Sequence, residues 1–254
     1  VPYNVKEAMR KAVHQVRVSP GRKRNGVGKE AALVADVEKI VAAYPDGHKM
    51  RAAEATLWLL AVCTGARAVT CRHILLGDIM RVIPAADREG CILVEFKFTY
   101  GKGNPEWNHH VTVDGNIHVQ KNHDVVYWLN QYLQSHFKLD LLNYTKWPPD
   151  MLNVPLFQNW SEDAMSMRFK NRAFHAGYPH GLFSFHSLRS GFLASAMLVA
   201  GSDRNKSLAC LENTAVTAGW TVFSKTQMKY VKETQVRTIV STRLVLGDRI
   251  EINV

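Results

Sequence analysis

Between Lys29 and Pro45 the apolar residues Leu33, Val37, Ile40, Val41 and Tyr44 recur at helical spacing, so they share one face of a helix that Pro45 ends. A second helix is expected from about Met50 to Cys63, with Leu57, Leu60 and Ala61 on its apolar side and Gly65 placed to stop it. Arg67 then opens a third helix running to Leu75. From Cys91 the character changes. Cys91 to Tyr100 is rich in β-branched and aromatic residues, Gly101-Lys102-Gly103-Asn104-Pro105 reads as a turn, and His110 to Val113 returns. The pattern predicts a β-hairpin with Lys102 at its tip, joined by a strand near Ile79 to Ile83.

Helical patterning resumes over Val125 to Phe137, with Val126, Leu129, Tyr132 and Leu133 as its apolar set. Residues 138–156 are irregular, and Ser161 to Ala176 is helical again. Ser184 is a plausible N-cap for a helix through Ala200, with Leu188, Phe192, Ala196 and Val199 on its inner face and Gly201 as its stop. Ser224 with Gln227 forms a capping-box pattern for a helix that carries Tyr230. Residues 5–17 read as a short basic helix. Residues 18–28 read as a linker rich in Pro, Gly and cations, in which Arg22, Lys23 and Arg24 would suit a strap across a phosphate backbone, or form a solvated basic loop. The fold class is α+β and mostly helical, with a small antiparallel sheet. Residues 29–254 form one domain with a tail at 236–254, and no internal repeat is present.

The charge balance narrows the partner. The 254 residues carry 32 Lys+Arg against 22 Asp+Glu, a formal net charge of +10. That favours a polyanion, with nucleic acid ahead of an anionic membrane surface. Cys63, Cys71, Cys91 and Cys210 form no C-x-x-C pair and sit among apolar neighbours, which fits buried reduced thiols in an intracellular protein rather than a zinc site. The sequence opens at Val1 with the charged residues Lys6, Arg10 and Lys11, so its start is neither a signal peptide nor a membrane span. It is expected to be a fragment or a processed piece of a longer chain.

Against this background stands a dispersed polar set: Arg67 in Thr64-Gly65-Ala66-Arg67, His186 and Arg189 in His186-Ser187-Leu188-Arg189, Trp220 in Ala218-Gly219-Trp220, and Tyr230 in Met228-Lys229-Tyr230. In this order and at these spacings the set resembles the tyrosine recombinases, the phage-integrase family, over roughly residues 29–235. The resemblance implies a catalytic domain that exchanges DNA strands through a covalent 3′-phosphotyrosine, with no cofactor and no metal. It also implies that residues 1–28 are the end of an N-terminal core-binding domain and its linker.

The implied roles are chemically coherent. Arg67 and Arg189 would hold the non-bridging phosphate oxygens, because a guanidinium bonds two oxygens at once and keeps its charge. His186, three residues before Arg189, would project from the same helix face. Tyr230 would be the nucleophile, its phenol lowered from about 10 by neighbouring cations. Lys102 would protonate the departing 5′-oxygen, since Gly101-Lys102-Gly103-Asn104 followed by Glu106 is similar to the hairpin of bacterial members. Lys97 is the rival for that role. Trp220 stands where most members have a second histidine, and some members have tryptophan there. An indole N–H donates one hydrogen bond but transfers no proton.

Two other readings remain open: a type IB topoisomerase-like nicking-closing enzyme, and a DNA-binding derivative of the fold without catalysis. His109 and His110 resemble a metal pair, but neighbouring strand residues face opposite ways, so they are expected at the surface or facing DNA. The expected partners are double-stranded DNA and three further copies of the chain on two duplexes, with no membrane, in the nucleus or a bacterial cytoplasm.

Overall fold

A helix apolar on every side belongs in the middle of a domain. The computed structural model describes residues 30–100, 108–200 and 204–218, and at its centre lies such a helix, α2 (Arg51–Thr64), in which every residue from Ala53 to Val62 is buried. Around it pack α1 (Val34–Ala42), α4 (Val125–Tyr132) and α6 (Phe185–Ala200). Trp58 of α2 sits 6.0 Å from the Tyr44 ring and 5.3 Å from Phe169 of α5 (Glu162–His175), so one side chain joins three segments. Truncating such a ring to alanine costs about 3–5 kcal/mol.

Three antiparallel strands lie beside this helical body in the order β1 (Ile79–Pro84), β2 (Ile92–Phe98), β3 (His109–Gly115). Alternation turns Val94, Phe96, Phe98, Val111 and Val113 into the core. Arg81, Glu95, Lys97 and His110 are thereby left on the outer face. Pairing of β2 with β3 ends at Phe98 opposite His109. Residues 99–108, among them Lys102, connect the two strands.

Most expected elements are present, with three differences. The short helix α3 (Ala68–Arg72) ends well before Leu75. Ile74 and Leu76 are buried, and the backbone between them runs extended, with the Leu76 N–H donating to Val154 and the Leu156 N–H to Ile74. Pairing with this distant segment outcompetes another helical turn. In α6 the buried apolar side chains are Phe185, Leu188, Leu193, Ala194 and Met197, whereas Val199, expected inside, is 88% exposed. The third difference is α7 (Arg204–Ala218), a helix the apolar pattern does not announce. Leu211 fixes it against Leu193 and Met197 of α6.

Residues 30–34 run along α6 as a strap. The Glu30 and Ala32 N–H groups donate to the Leu182 and Ser187 carbonyls, and the Val34 N–H donates to the Ser195 hydroxyl. A Cβ at Gly191 would overlap the Ala32 carbonyl oxygen, so glycine is required for this approach. The expected helix at 5–17, the linker, the stop at Gly201, the Ser224 and Gln227 cap and the tail lie outside the described residues.

Candidate active site

The α2–α3 corner is built by Thr64 and Gly65. The Thr64 hydroxyl donates to the Leu60 carbonyl at 2.7 Å and accepts from the Ala66 N–H at 3.3 Å. Gly65 takes the left-handed conformation at φ 66°, which ends α2. It is also crowded: a Cβ there would lie 2.7 Å from a Phe192 ring carbon and 2.9 Å from the Ala218 methyl. Two helices therefore approach the corner at its glycine. Arg67 follows as the extended N-cap residue of α3 and is half-buried.

Arg189 reaches this corner from α6. It is 3% exposed, an environment in which a charged group needs partners. Its Nη1 donates to the Gly65 carbonyl and its Nη2 to the Ala218 carbonyl at 3.0 Å. One guanidinium thus joins the corner that carries Arg67 to the last residue of α7. Those two acceptors are neutral carbonyls, which orient the guanidinium by their dipoles. His186, one turn earlier on α6, is exposed. Along the His-x-x-Arg segment Arg189 is therefore buried and His186 exposed.

A further segment arrives at the same place. The His109 ring Nε2 lies 2.7 Å from the Thr217 carbonyl. A carbonyl only accepts, so Nε2 carries the hydrogen and donates it. His109 is half-buried, with its ring against α7, while His110 lies on the outer face of the sheet, 2.7 Å from Glu95. Lys97, opposite His110 in the register, lies near Asp78. Burial pushes the Asp78 carboxyl up, opposed by the Leu75 N–H and the Lys97 charge.

Of the sequence-derived set, Arg67, His186 and Arg189 fall among the described residues, on segments that meet at one corner. Lys102, Trp220, Tyr230, Arg22, Lys23 and Arg24 lie outside them. Their neighbours in sequence are informative: Ala218, bonded by Arg189, directly precedes Gly219-Trp220, and His109 directly follows the connection that contains Lys102. His109 was legible only as half of a histidine pair.

A second polar cluster has no counterpart in the sequence reading. Glu54, 1% exposed within the apolar run of α2, accepts from Arg168 Nη1 at 2.8 Å, from Arg172 Nε at 3.2 Å and from the Tyr44 hydroxyl. Arg172 also donates to His48 Nε2 at 2.7 Å and stacks over the Tyr44 ring. Burial, then the Glu54 charge, push the Tyr44 phenol far above its ordinary value, so it stays a donor. Its signal was a single carboxylate inside an apolar helix.

Among the described residues no group of three or more His, Cys, Asp or Glu side chains is placed to hold a metal ion, and no helix is long and apolar enough to cross a membrane.

No protein-family model matches the chain, and no curated protein matches it. Solved structures do. The chain is similar to the XerH site-specific recombinase bound to palindromic difH substrate in a post-cleavage complex, with a TM-score of 0.52 and 17% identity over 84% of this chain and 52% of that one. It is also similar to the XerH pre-cleavage complex with difH, with a TM-score of 0.50 and 14% identity over 84% of this chain and 53% of that one. The chain thus has the tyrosine recombinase catalytic-domain fold, and it spans about half the length of the structures it matches.

Proposed function

We propose that this chain is the catalytic part of a site-specific DNA recombinase that cleaves and rejoins strands through a 3′-phosphotyrosine. The observation that carries the reading is the pair of hydrogen bonds that Arg189 donates to the Gly65 and Ala218 carbonyls. It draws the corner bearing Arg67, the helix bearing His186 and the approach to Gly219-Trp220 around one buried cation. The fold shared with DNA-bound XerH structures adds a duplex as the natural partner, and the net charge of +10 agrees.

In this mechanism Arg67 and Arg189 hold the non-bridging oxygens of the scissile phosphate, and the charge that builds there in the transition state is met by fixed cations. Tyr230, whose phenolic proton passes to solvent because the neighbouring cations favour the phenolate, attacks phosphorus through its oxygen. The P–O5′ bond breaks as the Tyr230 O–P bond forms, and Lys102 delivers a proton to the departing 5′-oxygen. His186 and the Trp220 N–H donate hydrogen bonds to the phosphate. A 5′-hydroxyl from another strand then reverses the step, and the energy of the ester is conserved without nucleotide or metal. Exchange between two duplexes takes four copies of the chain.

The test is a covalent-capture assay. A randomised library of nicked duplexes, in which a released strand end diffuses away, is incubated with the protein and denatured. The expected result is DNA attached to Tyr230, mapped by mass spectrometry and abolished by Tyr230→Phe. Relaxation of supercoils with no sequence preference among the captured duplexes would indicate a nicking-closing enzyme. Binding without any adduct would indicate a silent derivative of the fold, and either result removes the proposal.

A further inference from the structure

We infer that His109 is a positioning residue for the chain that leaves α7 toward Trp220 and Tyr230, an inference that rests on the reading above. The carbonyls of Thr217 and Ala218, the last described residues of α7, accept from two different elements: the His109 imidazole on β3 and the Arg189 guanidinium on α6. The two bonds act at adjacent peptide groups, so they fix the rotation as well as the position of the last turn. Arg189 also bonds Gly65. A shift of the α7 terminus would therefore break the His109 bond and pull on the cation assigned to the phosphate.

The role asks for one N–H at one place. His109 is the first residue of β3, in register with Phe98, whose ring is in the core. The imidazole is consequently delivered from a rigid strand end, and its donor atom is fixed by the carbonyl it meets. Without that donor β3 loses its hydrogen bond to the Thr217 carbonyl, and one of the two bonds that hold this part of α7 is gone. The sheet would then no longer help to set the position of Ala218, which directly precedes Gly219 in the sequence.

The experiment compares variants on duplexes recovered by covalent capture with the unaltered protein. His109→Phe keeps a ring without an N–H, His109→Met serves the same purpose if that ring prevents folding, and His109→Gln restores an N–H. Single-turnover adduct formation, DNA affinity and the thermal midpoint are measured for each. The expected result for Phe or Met is an adduct rate down about tenfold or more, with affinity within about twofold. Gln should recover most of the rate. An unchanged rate for Phe and Met would overturn the inference. So would a loss in Gln equal to theirs, a fall in affinity matching the fall in rate, or a lower midpoint with the rate per folded molecule intact. Absence of any adduct from the unaltered protein overturns the recombinase reading itself, and this inference with it.

Discussion

Two arginine clusters in this domain use different acceptors. At the Glu54 cluster, two guanidiniums, of Arg168 and Arg172, meet one fully buried carboxylate. At the α2–α3 corner, Arg189 donates to the neutral carbonyls of Gly65 and Ala218. A buried carboxylate needs cations beside it, because an unpaired buried charge is costly. A carbonyl orients a guanidinium by its dipole and, unlike a carboxylate, brings no negative charge that would repel an incoming phosphate.

The comparison breaks most sharply at Arg189. Arg189→Ala, and Arg67→Ala with it, should lower the adduct rate by about three orders of magnitude or more while DNA affinity falls far less. Losses of equal size in both would refute the assigned roles. Glu54→Ala should do the reverse. Removing one partner of a buried ion pair costs about 3–5 kcal/mol, and the lower end applies because Arg168 is 42% exposed and can rehydrate. A urea titration should register that loss with the adduct rate per folded molecule unchanged.

Gly65→Ala should fall between these cases. The left-handed conformation and the overlap with Phe192 and Ala218 would cost about 2 kcal/mol. Because the same residue's carbonyl orients Arg189, the adduct rate should drop as well. A variant that lost stability alone would mean that Arg189 tolerates a displaced corner. The smallest effect concerns a thiol. Burial pushes the Cys71 thiol up to about 12, so almost no thiolate exists near neutrality and its alkylation should require unfolding. Mass spectrometry after a brief iodoacetamide pulse would test this.

Much of the fold could be read from periodicity. The helices over residues 34–42, 51–64, 125–132 and 162–175 follow from apolar spacing with recognisable stops, and the sheet follows from the change of period. The helix α7 could not be read, because Leu211 is among its few core-facing side chains and its pattern is weak. The inner face of α6 was misjudged at Val199 for a related reason: its partner there is α7. At the site, the residue types Arg67, His186 and Arg189 were legible. Their arrangement was not, since the bonds that create it run from side chains to carbonyls. The role of Glu54 was hidden because its partners lie on α5, far along the chain.

Main-chain oxygens are common to every amino acid. The acceptors that aim Arg189 at residues 65 and 218 can therefore persist while the side chains around them are exchanged, provided that glycine keeps the tight corner open. Scaffolding of this kind leaves little trace in an alignment. The fold is shared at 17% identity, and backbone geometry is the quantity to compare when other distant chains of this shape are sought.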